Sequence, residues 1–275
     1  MLKEKMHIAV PTAFYEDESL NIQGTIEHIK SLYSQGIQSV LVCGSTGEQH
    51  SLTLKEKLKI LDDLVAEEEL IHNMEIIFGV SSIRQKEAVE LAKRIQPTKI
   101  AAILLGYPPY ILPAQEEALI YAKKIIRFSQ KPTILYNNPK RTGFDLSSES
   151  IIELSGLDLV IGLKEAGNTK RVLSLKREIR NKNFYFYAGG EMQLEEKVSL
   201  GFNRLSSIAG NIHPLKVKQW FIKMVSKQTI TEQEKLEIAS LLDEIYTGSP
   251  LAYVKKSINE KGITMGVCRS PLGNV

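Results

Sequence analysis

The sequence predicts a (β/α)8 barrel, and three observations lead there. Short, nearly unbroken apolar runs alternate, eight times over, with segments whose apolar residues recur at spacings of three and four. At 275 residues the chain has the length of one such barrel with a modest addition. The competing open, doubly wound sheet would usually carry a phosphate fingerprint after its first strand, and no G-x-G-x-x-G stands there.

The elements follow in order. Met6-His7-Ile8-Ala9-Val10, stopped by Pro11, is the first strand, and Ile22, Ile26, Ile29 and Tyr33 mark the first helix, ended by Gly36. Ile37 to Cys43 is the second strand. Thr53 with Glu56 makes a capping box for a helix whose buried stripe is Leu54, Leu58, Leu61 and Leu64. Strand three runs from Glu75 to Val80 and its helix from Arg84 to Ile95; strand four is Lys99 to Leu105, then Gln115 to Phe128 is helical. Thr133 to Tyr136 and a short helix from Ser147 to Leu154 lead to strand six, which ends at Lys164. A helix over Asn168 to Ile179, a strand over Phe184 to Tyr187, a helix over Glu191 to Leu200 and a weaker strand over Arg204 to Ile208 complete the set. From His213 onward the pattern is helical, with Val217, Trp220, Phe221 and Met224 on one stripe and further helices around Leu236 to Tyr246 and Ala252 to Ile258. The expected organisation is a barrel over residues 1–212 with a helical layer, residues 213–275, packed on it as part of one domain.

Composition narrows the function classes. Apolar residues make up 43% and charged residues 24%, and the net charge of +3 is spread with the signs interspersed. No basic stripe with interleaved aromatics occurs, so nucleic acid is not an expected partner. Cys43 and Cys268 share no motif and the five histidines have no ligand spacing, so neither a disulfide framework nor a metal is expected. No signal peptide or membrane-length apolar run is read, and the expectation is a cytoplasmic protein away from membranes.

The chemistry gathers at strand ends. Leu159-Val160-Ile161-Gly162-Leu163-Lys164 is an apolar run closed by one lysine. Such a lysine either snorkels its charge to water or, with its pKa lowered by burial, serves as a nucleophilic amine able to form a Schiff base. In a barrel, reactive groups sit at the C-terminal ends of the strands, and two other stretches fall there. Gly44-Ser45-Thr46-Gly47-Glu48, after strand two, is either a structural turn or a cradle of N–H groups and hydroxyls for a carboxylate. Tyr136-Asn137-Asn138-Pro139-Lys140-Arg141-Thr142-Gly143, after strand five, carries a tyrosine able to shuttle a proton beside an amine and an arginine able to clamp a carboxylate.

Taken together, these stretches resemble the signatures of the dihydrodipicolinate synthase / N-acetylneuraminate lyase family. The likeness extends to Val10-Pro11-Thr12-Ala13-Phe14, Leu52-Thr53 with Glu56, Gly189, and Val267-Cys268-Arg269-Ser270-Pro271-Leu272, and so spans the chain. The resemblance implies a pyruvate-dependent class I aldolase that uses no cofactor. Lys164 would form the Schiff base, Tyr136 would shuttle protons with Thr46 next in the relay, and Ser45 and Thr46 would hold the pyruvate carboxylate. Gly189 and Ser206 would line the substrate site. Arg141 is of the type that binds the carboxylate of aspartate semialdehyde in the synthase branch.

Some positions depart from the family pattern. The loop Pro109-Tyr110-Ile111-Leu112-Pro113 has one tyrosine where the family usually has two, and Tyr110 is the candidate to complete the relay of a neighbouring subunit. Ser206 replaces a branched apolar residue, which predicts a more polar pyruvate site. Leu54 and Lys57 stand where lysine-inhibited members carry histidines, so that inhibition is not expected. The resemblance implies condensation of pyruvate with aspartate semialdehyde. A pyruvate-releasing aldolase acting on a 2-keto-3-deoxy sugar acid or an N-acetylneuraminate-like substrate, and a non-catalytic pyruvate-binding paralogue, are the alternatives. A homodimer or homotetramer is the expected assembly.

Overall fold

The computed structural model describes residues 2–272. Eight parallel strands close into a barrel in chain order: β1 (Met6–Ala9), β2 (Ser39–Val42), β3 (Glu75–Val80), β4 (Ala102–Gly106), β5 (Thr133–Asn137), β6 (Val160–Glu165), β7 (Tyr185–Gly189) and β8 (Arg204–Ser207), with β8 pairing back onto β1. Around them lie α1 (Ile22–Ser34), α2 (Leu54–Ala66), α3 (Glu68–Asn73), α4 (Gln85–Ile95), α5 (Gln115–Ser129), α6 (Pro139–Thr142), α7 (Ser148–Ser155), α8 (Val172–Glu178) and α9 (Leu194–Leu200). The (β/α)8 class expected from the alternation is the one observed.

Strand alternation sorts the apolar residues into two cores. Ile8, Val40, Val42, Ile76, Phe78, Ile103, Leu105, Leu135, Leu163, Phe186 and Leu205 pack outward with the helices. Ala9, Leu41, Ile77, Leu104, Ile134, Ile161 and Tyr187 form a separate cluster, the filled interior of the barrel.

One irregularity decides the aim of the site. Thr133 is partnered with Val160 but Ile134 with Gly162, so β6 has one residue more than β5 at that point. A bulge of this kind resets which face the following side chains take. Ile161 and Gly162 both lie on the inner side, and from there Lys164 points inward and Glu165 outward. Glycine is required at the irregularity: a Cβ on residue 162 would meet Tyr185 O at 2.5 Å and a Tyr187 ring carbon at 2.9 Å.

Several boundaries differ from the sequence reading. The helix expected over Asn168–Ile179 is a 3-10 turn over Thr169–Arg171 followed by the shorter α8. The one expected from Glu191 begins only at Leu194, because the Glu191 carboxylate accepts hydrogen bonds from Ser207 Oγ and the N–H groups of Ile208 and Ala209 and so belongs to the loop. The capping box is present, with Glu56 N donating to Thr53 Oγ1 at 3.2 Å and Thr53 N to Glu56 Oε2 at 2.8 Å. After the barrel come α10 (Pro214–Val225), α11 (Glu232–Tyr246) and α12 (Pro250–Glu260); α10 buries Val217, Trp220, Phe221 and Met224, and α12 buries Val254, Lys255 and Ile258. Among the described residues no helix is long and apolar enough to cross a membrane.

Candidate active site

A cavity of about 540 Å³ opens at the C-terminal ends of the strands. Seven of the site residues expected from the sequence line it: Ser45 and Thr46 from the loop after β2, Tyr136 ending β5, Arg141 in α6, Lys164 ending β6, Gly189 ending β7 and Ser206 in β8. Tyr110 does not. It lies 90% exposed in the loop after β4, held at φ 72°.

Lys164 and Tyr136 are partners in register across β5 and β6, and the lysine Nζ stands 4.7 Å from the centre of the tyrosine ring. Nζ donates a hydrogen bond of 2.9 Å to Ser206 Oγ. Burial lowers the lysine pKa, the nearby Arg141 charge lowers it further, and Tyr136 and Glu191 oppose them. For Tyr136 burial pushes the phenol up, but Lys164, the hydrogen bonds from Ser45 and Asn138, and the Arg141 charge outweigh it, so its pKa is lowered. With both pKa values lowered, the pair is placed to exchange a proton.

The hydroxyl that faces the Tyr136 phenol is that of Ser45, at 3.4 Å, whereas Thr46 lines the cavity without that contact. The phenol oxygen also accepts a 2.7 Å hydrogen bond from Asn138 Nδ2. Asn138 lies within the same motif as Tyr136, but nothing in its spacing singles it out. Gly189 matters sterically. A Cβ there would lie 3.3 Å from Lys164 Cε, so glycine keeps the lysine channel open.

Outside the barrel, Glu165 and Asn137 clamp the ends of β5 and β6 together. They are the next pair in register after Tyr136 and Lys164, and Asn137 Nδ2 donates to both Glu165 oxygens at 3.0 and 3.1 Å. Arg171 lies against Glu165 at 3.1 Å and also pairs with Asp145. The Gly44–Glu48 loop is fixed from beneath. Glu48, fully buried at φ 52°, accepts from Lys255 Nζ at 2.6 Å and from Arg269 N at 2.9 Å. Sequence reasoning missed this pair because its members are 207 residues apart. It also missed the cavity wall that Tyr246, Ser249, Pro250 and Leu251 supply from α11 and α12, for which a helical stripe carries no signal.

Fold and site together define a parallel (β/α)8 barrel with the buried Lys164 at the end of β6, in a cavity lined from several strand ends. The chain belongs to the Dihydrodipicolinate synthetase family, which it matches over residues 3–275. It is 29% identical to the 4-hydroxy-tetrahydrodipicolinate synthase of Methanococcoides burtonii over 269 residues, 97% of this chain and 91% of that one. It is 26% identical, with a TM-score of 0.86, to the chloride-inhibited dihydrodipicolinate synthase of Acinetobacter baumannii solved with pyruvate, covering 99% and 93% of the two chains. CdNal of Clostridium difficile, solved with mannosamine, is 25% identical with a TM-score of 0.88, over 99% and 94%.

Proposed function

We propose that the protein is a Schiff-base lyase that condenses pyruvate with aspartate semialdehyde to give 4-hydroxy-tetrahydrodipicolinate. The observation that carries this reading is Lys164 Nζ, buried at the base of the cavity with Tyr136 across it. Burial favours the neutral amine, which attacks the pyruvate ketone. The carbinolamine loses water to leave a protonated imine, an electron sink that lets the methyl carbon release a proton. The enamine adds to the aldehyde, and the amino group of the second substrate closes the ring and displaces Lys164.

Each neighbour has a part in these steps. Tyr136 carries protons to and from the ketone oxygen, with Ser45 at its hydroxyl and Thr46 further along the same wall. Ser45, Thr46 and the backbone beside them take the pyruvate carboxylate, and Arg141 on the rim takes that of the aldehyde. Tyr110, outside its own cavity, belongs in this reading to the relay of a second subunit in a homodimer or homotetramer. The names of the relatives support the synthase assignment.

A sugar-acid aldolase is the second reading. It is favoured by the wall of Met192, Tyr246, Ser249 and Leu251, which leaves room beyond the lysine, and by the likeness to a protein solved with mannosamine. Borohydride trapping with pyruvate, read by intact mass and peptide mapping, tests the shared chemistry. Adduct at Lys164, absent in Lys164→Ala, is expected; folded protein without adduct overturns it in favour of a non-catalytic paralogue. Product assays with aspartate semialdehyde and with 2-keto-3-deoxy sugar acids then separate the two enzymes, and Arg141→Ala is expected to impair only the former.

A further inference from the structure

The Lys164 amine has a hydrogen-bond acceptor on β8, two strands along the barrel from its own β6. Ser206 is 1% exposed and sits in β8 with its Cα in register with Gly189 of β7 and His7 of β1. Its hydroxyl oxygen lies 2.9 Å from Nζ. Two polar groups, Ser206 and His7, thus stand side by side near the lysine, next to the apolar cluster of the barrel interior. Burial, and then the charge of Lys164, hold the His7 imidazole neutral, and its Nε2 has no hydrogen-bond partner among the described residues.

We infer that Ser206 acts on the reacting nitrogen itself, its hydroxyl oxygen accepting the N–H of the protonated imine and so keeping that imine charged. The inference rests on the Schiff-base reading of Lys164. The Nζ lone pair forms the bond to the ketone carbon. The ketone oxygen leaves as water, carrying one Nζ proton and one proton from the Tyr136 hydroxyl or solvent. One N–H stays on the positively charged nitrogen, and loss of a methyl proton then sends its electron pair toward that nitrogen. In a buried layer, an N–H⁺ with no acceptor is costly, and a hydroxyl acceptor holds more of the imine in the protonated form that serves as an electron sink. The face of the Tyr136 ring, 4.7 Å away, attracts the cation but cannot take a directed hydrogen bond of this strength. A hydrocarbon side chain at 206 would supply no acceptor.

The test needs no acceptor aldehyde. Exchange of pyruvate methyl protons for deuterium, followed by NMR across a pH series, reports enamine formation alone, and borohydride trapping reports the imine. The groups facing Nζ are Tyr136 from β5, Arg141 from α6, Glu191 after β7 and His7 from β1, and all are retained in the variants compared. Ser206→Ala is expected to keep the trapped adduct at saturating pyruvate, to slow exchange about 10- to 100-fold, and to move the whole pH profile to lower pH, because both the ammonium and the imine lose an acceptor. Ser206→Thr, which keeps the hydroxyl, is expected to restore most of the rate and the profile. If circular dichroism shows Ser206→Ala unfolded, Ser206→Cys, a weak acceptor, takes its place with the same expected loss. Wild-type exchange rate and an unmoved profile in the hydroxyl-free variant overturn the inference. Wild-type protein that neither traps nor exchanges overturns the Lys164 reading and this inference with it.

Discussion

Lys164 Nζ lies over the ring face of Tyr136, its partner in register across β5 and β6, at 4.7 Å from the centroid. On the Schiff-base reading proposed above, the contact joins two effects in one residue: the ring face attracts a cation, and the hydroxyl moves protons. Tyr136→Phe separates them. The ring and its packing stay, while the hydroxyl that Asn138 and Ser45 address is lost. Turnover is expected to fall about 100- to 10,000-fold while the protein stays folded. Stopped-flow or timed borohydride quenching should place the loss in the rate of adduct formation.

Glu165 gives a pH signature to stability. Burial holds its carboxyl up at about 7 from an ordinary 4.5, against the opposing Arg171 charge and the hydrogen bonds from Gly167 and Asn137. Between those two values the folded protein binds the proton more tightly than the unfolded chain does. The contribution of this group is therefore most favourable below pH 4.5 and declines as pH rises through 7, by roughly 3 kcal/mol in all. Glu165→Gln cannot titrate. Its urea midpoint should change less than that of the wild type between about pH 5 and about pH 7.5. Parallel curves for the two proteins would refute the assignment.

The Lys255–Glu48 pair is inaccessible to water, with side-chain exposures of 2% and 0%. Removing one member leaves a buried charge, which costs about 3–5 kcal/mol. Lys255→Met is expected to lose stability on that scale in urea melts and to weaken pyruvate trapping, because Glu48 closes the loop that carries Ser45. Adding Glu48→Gln should recover part of the loss, so that the double variant is less destabilised than the sum of the single ones.

Gly79 of β3 sets the start of the same loop. A Cβ there would fall 2.0 Å from Cys43 O and 2.6 Å from Cys43 C, both backbone atoms with no room to yield. Gly79→Ala is expected to cost about 1–3 kcal/mol or more and to displace Cys43 and Gly44. A thermal melt unchanged from the wild type would contradict the close approach.

Much of this architecture can be read from periodicity. All eight strands lie within a few residues of their expected places, since apolar runs of four to six residues between polar loops leave little choice in a parallel sheet. Even β8, Arg204–Ser207, is legible by position although two of its four residues are serines, and one of those serines touches the lysine. The candidate site residues are legible because barrel strands deliver their last side chains to one rim. What escapes is set by long-range contact. The short α3 and α6 have too few residues to show a period, the inward aim of Lys164 depends on a register irregularity at Gly162, and the partner of Glu48 comes from a helix near the other end of the chain.

The order of synthesis gives the Glu48 contacts a temporal meaning. The loop after β2 takes its cation from residue 255 and a backbone donor from residue 269, while Phe14 after β1 is covered by the side chains of the same two residues. All eight strands leave the ribosome before those residues do. A nascent chain thus holds every strand of the barrel before it holds the cation and the backbone donor that fasten the loop after β2.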